Sequence, residues 1–320
     1  MKGKISVTVA NKAIRYKFEL RRNITIIKGD SATGKTTLVD MIRDFEENGI
    51  SSGISLQCEY PCVVLEGRQW KVLLENTHES VVFIDEGNQF VASDEFASSL
   101  KGSDNYFVIV SREHLPNLPY SIEEIYGIKS SGKYGRLQQT YQEFYRIYGD
   151  YQFGKKFDPD VILTDDSNSG FEFFDAYSVS QKWSAESAGG KSNVFHKIKC
   201  FQDKKLLVIA DGAAFGPEME RVIQKIESTE EIALYLPESF EWLILKSDLL
   251  ADNEIQEIIE NPSQYIDSKD FMSWERFFTA LTIEKTKNTY LHYSKSKLNE
   301  AYKNPKVQDK IIKQIPDGLL

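Results

Sequence analysis

The residues with the most specific chemistry form a glycine-bounded loop near the start of the chain. The loop follows the apolar run at residues 24–27 and fits the pattern G-x-x-x-x-G-K-[ST] without a mismatch. Its glycines allow backbone conformations that a Cβ would hinder, so successive N–H groups can point at phosphate oxygens. Lys35 is expected to reach the β- and γ-phosphates of ATP, and the Thr36 hydroxyl to take a place on Mg²⁺. The predicted nucleotide-contacting residues are Gly29, Asp30, Ser31, Ala32, Thr33, Gly34, Lys35, Thr36 and Thr37.

A second group of candidate residues follows the apolar run at residues 81–84. Such a run is typical of a strand buried on both faces of a parallel sheet. Asp85 and Glu86 then lie at the carboxyl end of that strand, where ligands bind in open α/β sheets. We expect Asp85 to hold Mg²⁺ and Glu86 to polarise the attacking water.

Another buried strand is predicted at residues 106–110, and it ends in Ser111 and Arg112. At that edge Ser111 could sense the γ-phosphate, and Arg112 could stabilise the charge that develops during hydrolysis. The alternative is a helix-capping serine beside a surface arginine. The sequence favours neither interpretation.

Carboxylates recur after the predicted strands of the second half of the chain. Asp165 and Asp166 follow residues 161–164, Asp211 follows residues 205–210, and Glu241 follows residues 232–236. In a parallel sheet these ends share one edge, so the acids can converge there. Clustered carboxylates repel one another unless a cation lies between them, and their hard oxygens suit Mg²⁺ or Mn²⁺. Such a site can serve phosphodiester chemistry.

Composition and charge narrow the classes of protein to which the chain can belong. The 320 residues are 41% hydrophobic and 27% charged, with a net charge of −9, so a uniformly nucleic-acid-coating surface is not expected. The last 38 residues carry eight lysines against four acids, which suits either a phosphate contact or a solvated helical face. No apolar run approaches a membrane span, no secretory signal is evident, and three cysteines suit a reducing cytoplasm.

The elements around these candidates indicate two domains. A hairpin over residues 5–20 precedes the phosphate loop, and an amphipathic helix follows it. Aromatic residues at 141, 144, 145 and 148 fall at helical spacing, and residues beyond 251 look helical. A polar junction at residues 154–159 separates the two α/β patterns.

The first half resembles additional-strand P-loop ATPases. The resemblance rests on the phosphate loop, on the segment from Asp85 to Phe90, and on Ser111 and Arg112. The segment after Asp85 looks most like small ATPases of phage and mobile elements, including the zonula-occludens-toxin type, whereas the early hairpin is similar to ABC-type ATPases. The subfamily stays open.

The stretch from Val161 to Leu245 resembles a Toprim domain of the OLD-nuclease type, which is often paired with an ATPase in phage-defence systems. By that resemblance Asp165 or Asp166 takes the place of the family's first-strand glutamate, Asp211 begins its Asp-x-Asp motif, and Lys191 faces the scissile phosphate. Ala213 stands where the second acid of that motif is expected.

These observations predict an α/β protein with a P-loop NTPase domain over residues 1–153, whose sheet is mainly parallel. A Toprim-like α/β domain over residues 159–250 and a helical C-terminal extension over residues 251–320 follow. The expected function is ATP hydrolysis coupled to metal-dependent cleavage of nucleic acid; the resemblance implies anti-phage defence or a mobile element. The alternatives are an ATP-controlled scaffold or sensor with a degenerate Toprim-like domain, and a phage-type morphogenesis or DNA-transfer motor. A homo-oligomer or a companion protein is expected, and a membrane is not.

Overall fold

The computed structural model describes residues 1–29, 33–131, 139–148, 157–201 and 203–320. The chain is of the α/β class and forms two compact units. The first unit contains Met1–Gly149 and Pro262–Ser273, and the second contains Asp150–Asn261 and Trp274–Leu320. Residues 251–320, which were expected to form a separate extension, are thus divided between the two units.

The first unit is built on a mixed sheet of nine strands. Its strands are β1 (Ile5–Ala10), β2 (Ile14–Leu20), β3 (Ile24–Ile27), β4 (Ser55–Gln57), β5 (Cys62–Val64), β6 (Val81–Ile84), β7 (Tyr106–Val110), β8 (Ile125–Ser130) and β9 (Thr140–Arg146). Its helices are α1 (Lys35–Asn48), α2 (Trp70–Glu75) and α3 (Asp94–Ser99).

The strand order is β4-β1-β2-β9-β8-β3-β7-β6-β5. β5, β6, β7, β3 and β8 run parallel, whereas β1 pairs antiparallel with β2 and β4. Every residue of β3, β6 and β7 is buried because these apolar strands lie inside the sheet and are covered on both faces. The predicted hairpin and the predicted strands near residues 24, 81 and 106 are therefore confirmed.

The aromatic stretch near residue 141 is the exception. Its spacing predicted a helix, but residues 140–146 form β9, which pairs antiparallel with β8 and parallel with β2. Backbone pairing with two neighbouring strands outweighs a local pattern that fits more than one structure. The helical interpretation was wrong.

A buried carboxylate lies directly before β8. The side chain of Glu124 is fully buried, accepts a hydrogen bond from the Thr25 hydroxyl at 3.4 Å, and lies 3.8 Å from Nε of Arg22. Burial raises the pKa of Glu124 to about 7, although Arg22 opposes that effect. Arg22 also pairs with Glu123 at 3.4 Å.

The second unit is built on a parallel sheet in the order β11-β10-β12-β13. Its strands are β10 (Val161–Thr164), β11 (Ser184–Ser187), β12 (Leu206–Ile209) and β13 (Ile232–Tyr235). Its helices are α4 (Ser169–Gln181), α5 (Val194–Ile198), α6 (Met219–Ile226), α7 (Phe240–Lys246), α8 (Asn253–Glu260), α9 (Trp274–Thr286) and α10 (Pro305–Ile312).

Aromatic side chains fill the core of this unit. Phe173 and Phe174 of α4 pack against Phe240 of α7, with ring centroids 5.0 and 6.1 Å apart. Tyr293 and Tyr302, from the segments after α9, are buried in the same cluster. In the described part of the chain no helix is both long and apolar enough to cross a membrane.

Candidate functional site

The phosphate loop connects the buried end of β3 to the start of α1. Gly29 has φ +128° and Gly34 has φ +90°, so both glycines adopt the left-handed backbone that side chains disfavour. Nζ of Lys35 is folded back over the loop, 2.7 Å from the Gly29 carbonyl oxygen and 3.0 Å from Oγ1 of Thr33. The predicted contacts at Asp30, Ser31 and Ala32 lie outside the described residues.

Tyr16 of β2 supports this loop, and no sequence motif identifies this tyrosine. Its hydroxyl donates a hydrogen bond to the carbonyl oxygen of Gly34 at 2.8 Å. A Cβ added to Gly34 would lie 2.8 Å from the same hydroxyl oxygen. The tyrosine is fully buried, and burial raises its pKa to about 12, while a hydrogen bond with Thr37 acts in the opposite direction.

Helix α1 presents two hydroxyl groups at its N-terminal turn. Thr36 and Thr37 are exposed there, whereas Leu38, Met41 and Ile42 face the core as their spacing predicted. Because the first N–H groups of a helix lack partners within the helix, this end favours an anion. The turn can therefore offer both backbone donors and a metal-binding hydroxyl.

Asp85 and Glu86 follow β6, as expected. Oδ1 of Asp85 is buried and, within the described ranges, has no hydrogen-bond partner. Burial raises the pKa of Asp85, and the carboxylate of Asp40 on α1 adds to that effect. A buried carboxylate oxygen without a donor suits a cation, so the chemistry of Asp85 fits an Mg²⁺ ion, with the exposed Thr36 hydroxyl as the further ligand that the loop motif predicts.

Glu86 is exposed and forms an ion pair with Arg112, whose Nε lies 3.0 Å from Oε1 of the glutamate. Ser111, buried at the end of β7, accepts a hydrogen bond from the Glu113 N–H at 3.0 Å, and among the described residues no helix begins at this serine. The two residues that the sequence offered as a water-polarising base and a charge-stabilising arginine thus contact each other.

Three aspartates meet at the carboxyl edge of the second sheet, because β10 and β12 are adjacent and parallel. The Asp211 N–H donates to Oδ2 of Asp165 at 3.3 Å, and the Asp166 N–H donates to Oδ1 of Asp165 at 2.9 Å. Burial raises the pKa of Asp165 to about 7, and the neighbouring Asp166 carboxylate adds to the effect. Burial likewise raises the pKa values of Asp166 and Asp211.

Glu241 lies in a different element from the one predicted. It is in the first turn of α7 rather than at a strand end, because the Ser239 hydroxyl caps that helix by accepting from the Trp242 N–H at 3.2 Å. The glutamate is fully buried and accepts a hydrogen bond from the Tyr293 hydroxyl at 2.7 Å.

Lys295 and Glu275 belong to the same centre, and no sequence motif points to either residue. Nζ of Lys295 lies 3.5 Å from Oδ2 of Asp211, 3.2 Å from Oε1 of Glu241 and 3.5 Å from Oε1 of Glu275. Burial lowers the pKa of Lys295, but these carboxylates outweigh that effect and raise it. The lysine is therefore a fixed positive charge among the acids.

Lys191 follows a loop in which Gly189 and Gly190 have φ of +70° and +137°. Its ammonium donates to the Ala214 carbonyl at 2.7 Å, and burial lowers its pKa. The Gly190 N–H donates to the Asp165 carbonyl at 2.6 Å, which fixes this loop beside the acids.

The acid centre, which is the group of carboxylates and Lys295 at the carboxyl edge of the second sheet, does not fit a divalent metal in this arrangement. Among the residues that the structure describes, no group of three or more acidic, histidine or cysteine side chains is placed to hold a metal ion. Ala213 is buried at the position where the resemblance requires a further acid, and Lys295 contacts the carboxylates instead.

Comparison with known proteins adds no family assignment: no protein-family model matches the chain, and no curated protein matches its sequence.

Proposed function

We propose that the first unit binds and hydrolyses a nucleoside triphosphate, with ATP and Mg²⁺ as the expected pair. The observation that carries this proposal is the position of the Lys35 ammonium. It lies over the loop that connects β3 to α1, and the glycines at both ends of that loop, Gly29 and Gly34, have positive φ. In the proposed complex that ammonium leaves the Gly29 carbonyl for the β- and γ-phosphates. Thr36 and Asp85 hold the metal, and Glu86 orients the attacking water.

The strand order supports this assignment. β7 lies between β3 and β6, so the phosphate loop, Ser111 and Asp85 follow three neighbouring parallel strands and share one edge of the sheet. An inserted strand in this place is the feature for which additional-strand ATPases are named, which is consistent with the resemblance noted in the sequence.

The test is ATP turnover and binding in a Lys35→Ala variant. Because the lysine would stabilise charge on the transferred phosphoryl group, we expect turnover to fall roughly 100-fold or more. Lys101→Ala, an exposed lysine in the turn before β7, is the matched control and should behave as the unmodified chain. Turnover that survives Lys35→Ala would reject the nucleotide site.

For the second unit we propose a role on nucleic acid in the cytoplasm, served by the acid centre, with a second copy or a companion protein as an additional partner. Phosphodiester cleavage with Mg²⁺ or Mn²⁺, in phage defence or in a mobile element, is supported by the convergence of Asp165, Asp166 and Asp211. It is opposed by the contact of Lys295 with Asp211 and Glu241, so cleavage requires a metal ion to displace that lysine. Labelled DNA and RNA incubated with Mn²⁺, against an Asp211→Ala control, test this role.

The second candidate is an ATP-controlled scaffold or sensor whose Toprim-like unit binds without cleaving. The contact of Lys295 with Glu241 and the presence of Ala213 favour it. If neither polymer is cut under any nucleotide condition, the scaffold is the better description.

A further inference from the structure

The ammonium of Lys295 lies where carboxylates converge, which is the place that a metal ion would take in a metal-dependent centre. It is within 3.5 Å of oxygens from Asp211, Glu241 and Glu275. These three residues come from the end of β12, from α7 and from α9, so one lysine neutralises acids from three elements.

Protein donors already use many of the remaining carboxylate oxygens. Oδ1 of Asp211 accepts from the Phe240 N–H at 3.2 Å. Oε1 of Glu241 accepts from the Tyr293 hydroxyl at 2.7 Å, and both oxygens of Asp165 accept backbone N–H groups. An incoming divalent ion would have to displace these donors as well as the lysine.

The lysine is held in place by its own segment rather than by its side chain alone. The Ser169 N–H donates to the Lys295 carbonyl at 3.1 Å, and the Leu298 N–H donates to Oε2 of Glu172 at 2.8 Å. Tyr293 is buried, and its N–H donates to the Thr286 hydroxyl at 2.9 Å. These contacts fix the backbone on both sides of Lys295, so the ammonium is preorganised among the acids.

We propose that Lys295 is the resident cation of this acid centre and that it keeps divalent metal ions out of it. The proposal concerns the acid centre to which a nucleic-acid role was assigned above, and it does not depend on the nucleotide site. It departs from the metal-dependent chemistry that the Toprim resemblance implies.

Removing the lysine should convert the centre into a metal site. Without the ammonium the unneutralised acids repel one another, and burial strengthens that repulsion because less water screens it. A divalent cation relieves that repulsion, and carboxylate oxygens are the ligands that Mn²⁺ accepts readily. Lys295→Met removes the charge and keeps a side chain of similar length.

The experiment uses the nucleotide-free full chain and MnCl₂ as the probe. Paramagnetic resonance of free Mn²⁺ measures binding, and thermal unfolding with and without Mn²⁺ measures stabilisation. The unmodified chain and Asp211→Asn should bind Mn²⁺ equally weakly. Lys295→Met should bind it roughly ten-fold tighter or more, and adding Asp211→Asn should remove that gain.

Two control variants separate charge from structure. Lys297→Met alters an exposed lysine of the same segment and should behave as the unmodified chain. Lys295→Arg keeps the positive charge and should acquire no Mn²⁺ site.

The inference is overturned if the unmodified chain binds Mn²⁺ in a way that Asp211→Asn abolishes, or if folded Lys295→Met gains no binding. Should Lys295→Met fail to fold, the comparison of the unmodified chain with Asp211→Asn still decides. ATP binding, measured in parallel, is expected to be unchanged in every variant, so failure here is distinct from failure of the nucleotide site.

Discussion

Replacing Gly34 with alanine tests how the phosphate loop is built. An alanine at φ +90° pays about 1–2 kcal/mol for the left-handed conformation. Its Cβ would also lie 2.8 Å from the hydroxyl oxygen of Tyr16, a fully buried side chain with little room to move. Overpacking of this kind costs about 1–3 kcal/mol, so we expect a total destabilisation of about 3 kcal/mol and a weakened affinity for ATP.

Two further variants separate the conformational and the steric contributions to the destabilisation expected for Gly34→Ala. Gly53 has φ +73° and open space where a Cβ would lie, so Gly53→Ala should incur only the conformational cost and leave ATP affinity unchanged. Tyr16→Phe removes the hydroxyl together with its hydrogen bonds to the Gly34 carbonyl oxygen and to Thr37, at a cost of about 1 kcal/mol for each bond. In the Tyr16→Phe background Gly34→Ala should cost about 1 kcal/mol less, since the closest contact is gone.

The assay is urea unfolding followed by hydrogen exchange of peptides from β3 and α1, which reports on the first unit alone, together with titration of a fluorescent ATP analogue. If Gly34→Ala costs no more than Gly53→Ala, and its effect adds to that of Tyr16→Phe without coupling, the proposed support of the loop by Tyr16 is refuted.

Three other predictions concern single groups. Glu86→Gln should lower ATP turnover by roughly 100-fold or more while ATP still binds, because water activation is lost and the phosphate contacts remain; equal turnover would exclude Glu86 as the base. The pKa of the buried Glu124 is about 7 against an ordinary 4.5, so the folded chain binds the extra proton and stability should fall by up to about 3 kcal/mol as pH rises from 4.5 through 7. Glu124→Gln should abolish this fall in the free energy of unfolding, measured with denaturant at each pH. If stability falls equally with pH in the variant and in the unmodified chain, Glu124 is not its cause. A hydrogen bond from Cys62 lowers the pKa of Cys58 to about 7, so alkylation of Cys58 should rise with a midpoint near pH 7 and shift upward in Cys62→Ala, which has no donor; a midpoint unaffected by that substitution would count against the pairing.

The positive-φ glycines between β3 and α1 were predictable because their signal is local. A buried strand, two glycines at fixed spacing and an amphipathic helix are adjacent in the sequence, and each limits the conformation of the next. The meeting of Asp165 with Asp211 was also predictable, since parallel strands bring their carboxyl ends to one edge.

The rest of the second centre depends on contacts between distant segments. Lys295 lies 84 residues after Asp211 and follows no motif, so only the folded chain reveals that it neutralises that acid. Glu241 was assigned to a strand end because the capping role of Ser239 was not recognised. β9 was misread as a helix because the pairing that fixes it comes from β2 and β8.

The division of the C-terminal half between the units has a consequence for dissecting this protein. The chain leaves the second unit after Asn261, supplies Pro262–Ser273 to the first, and returns at Trp274. Within that short insert Ser263 accepts a hydrogen bond from the Gly3 N–H at 2.6 Å, and the Met272 carbonyl accepts one from Asn23 at 2.8 Å. No single cut in the polypeptide therefore releases both halves whole: a fragment ending near residue 150 lacks a piece of its own unit. Isolating the first unit requires grafting that insert back through a linker.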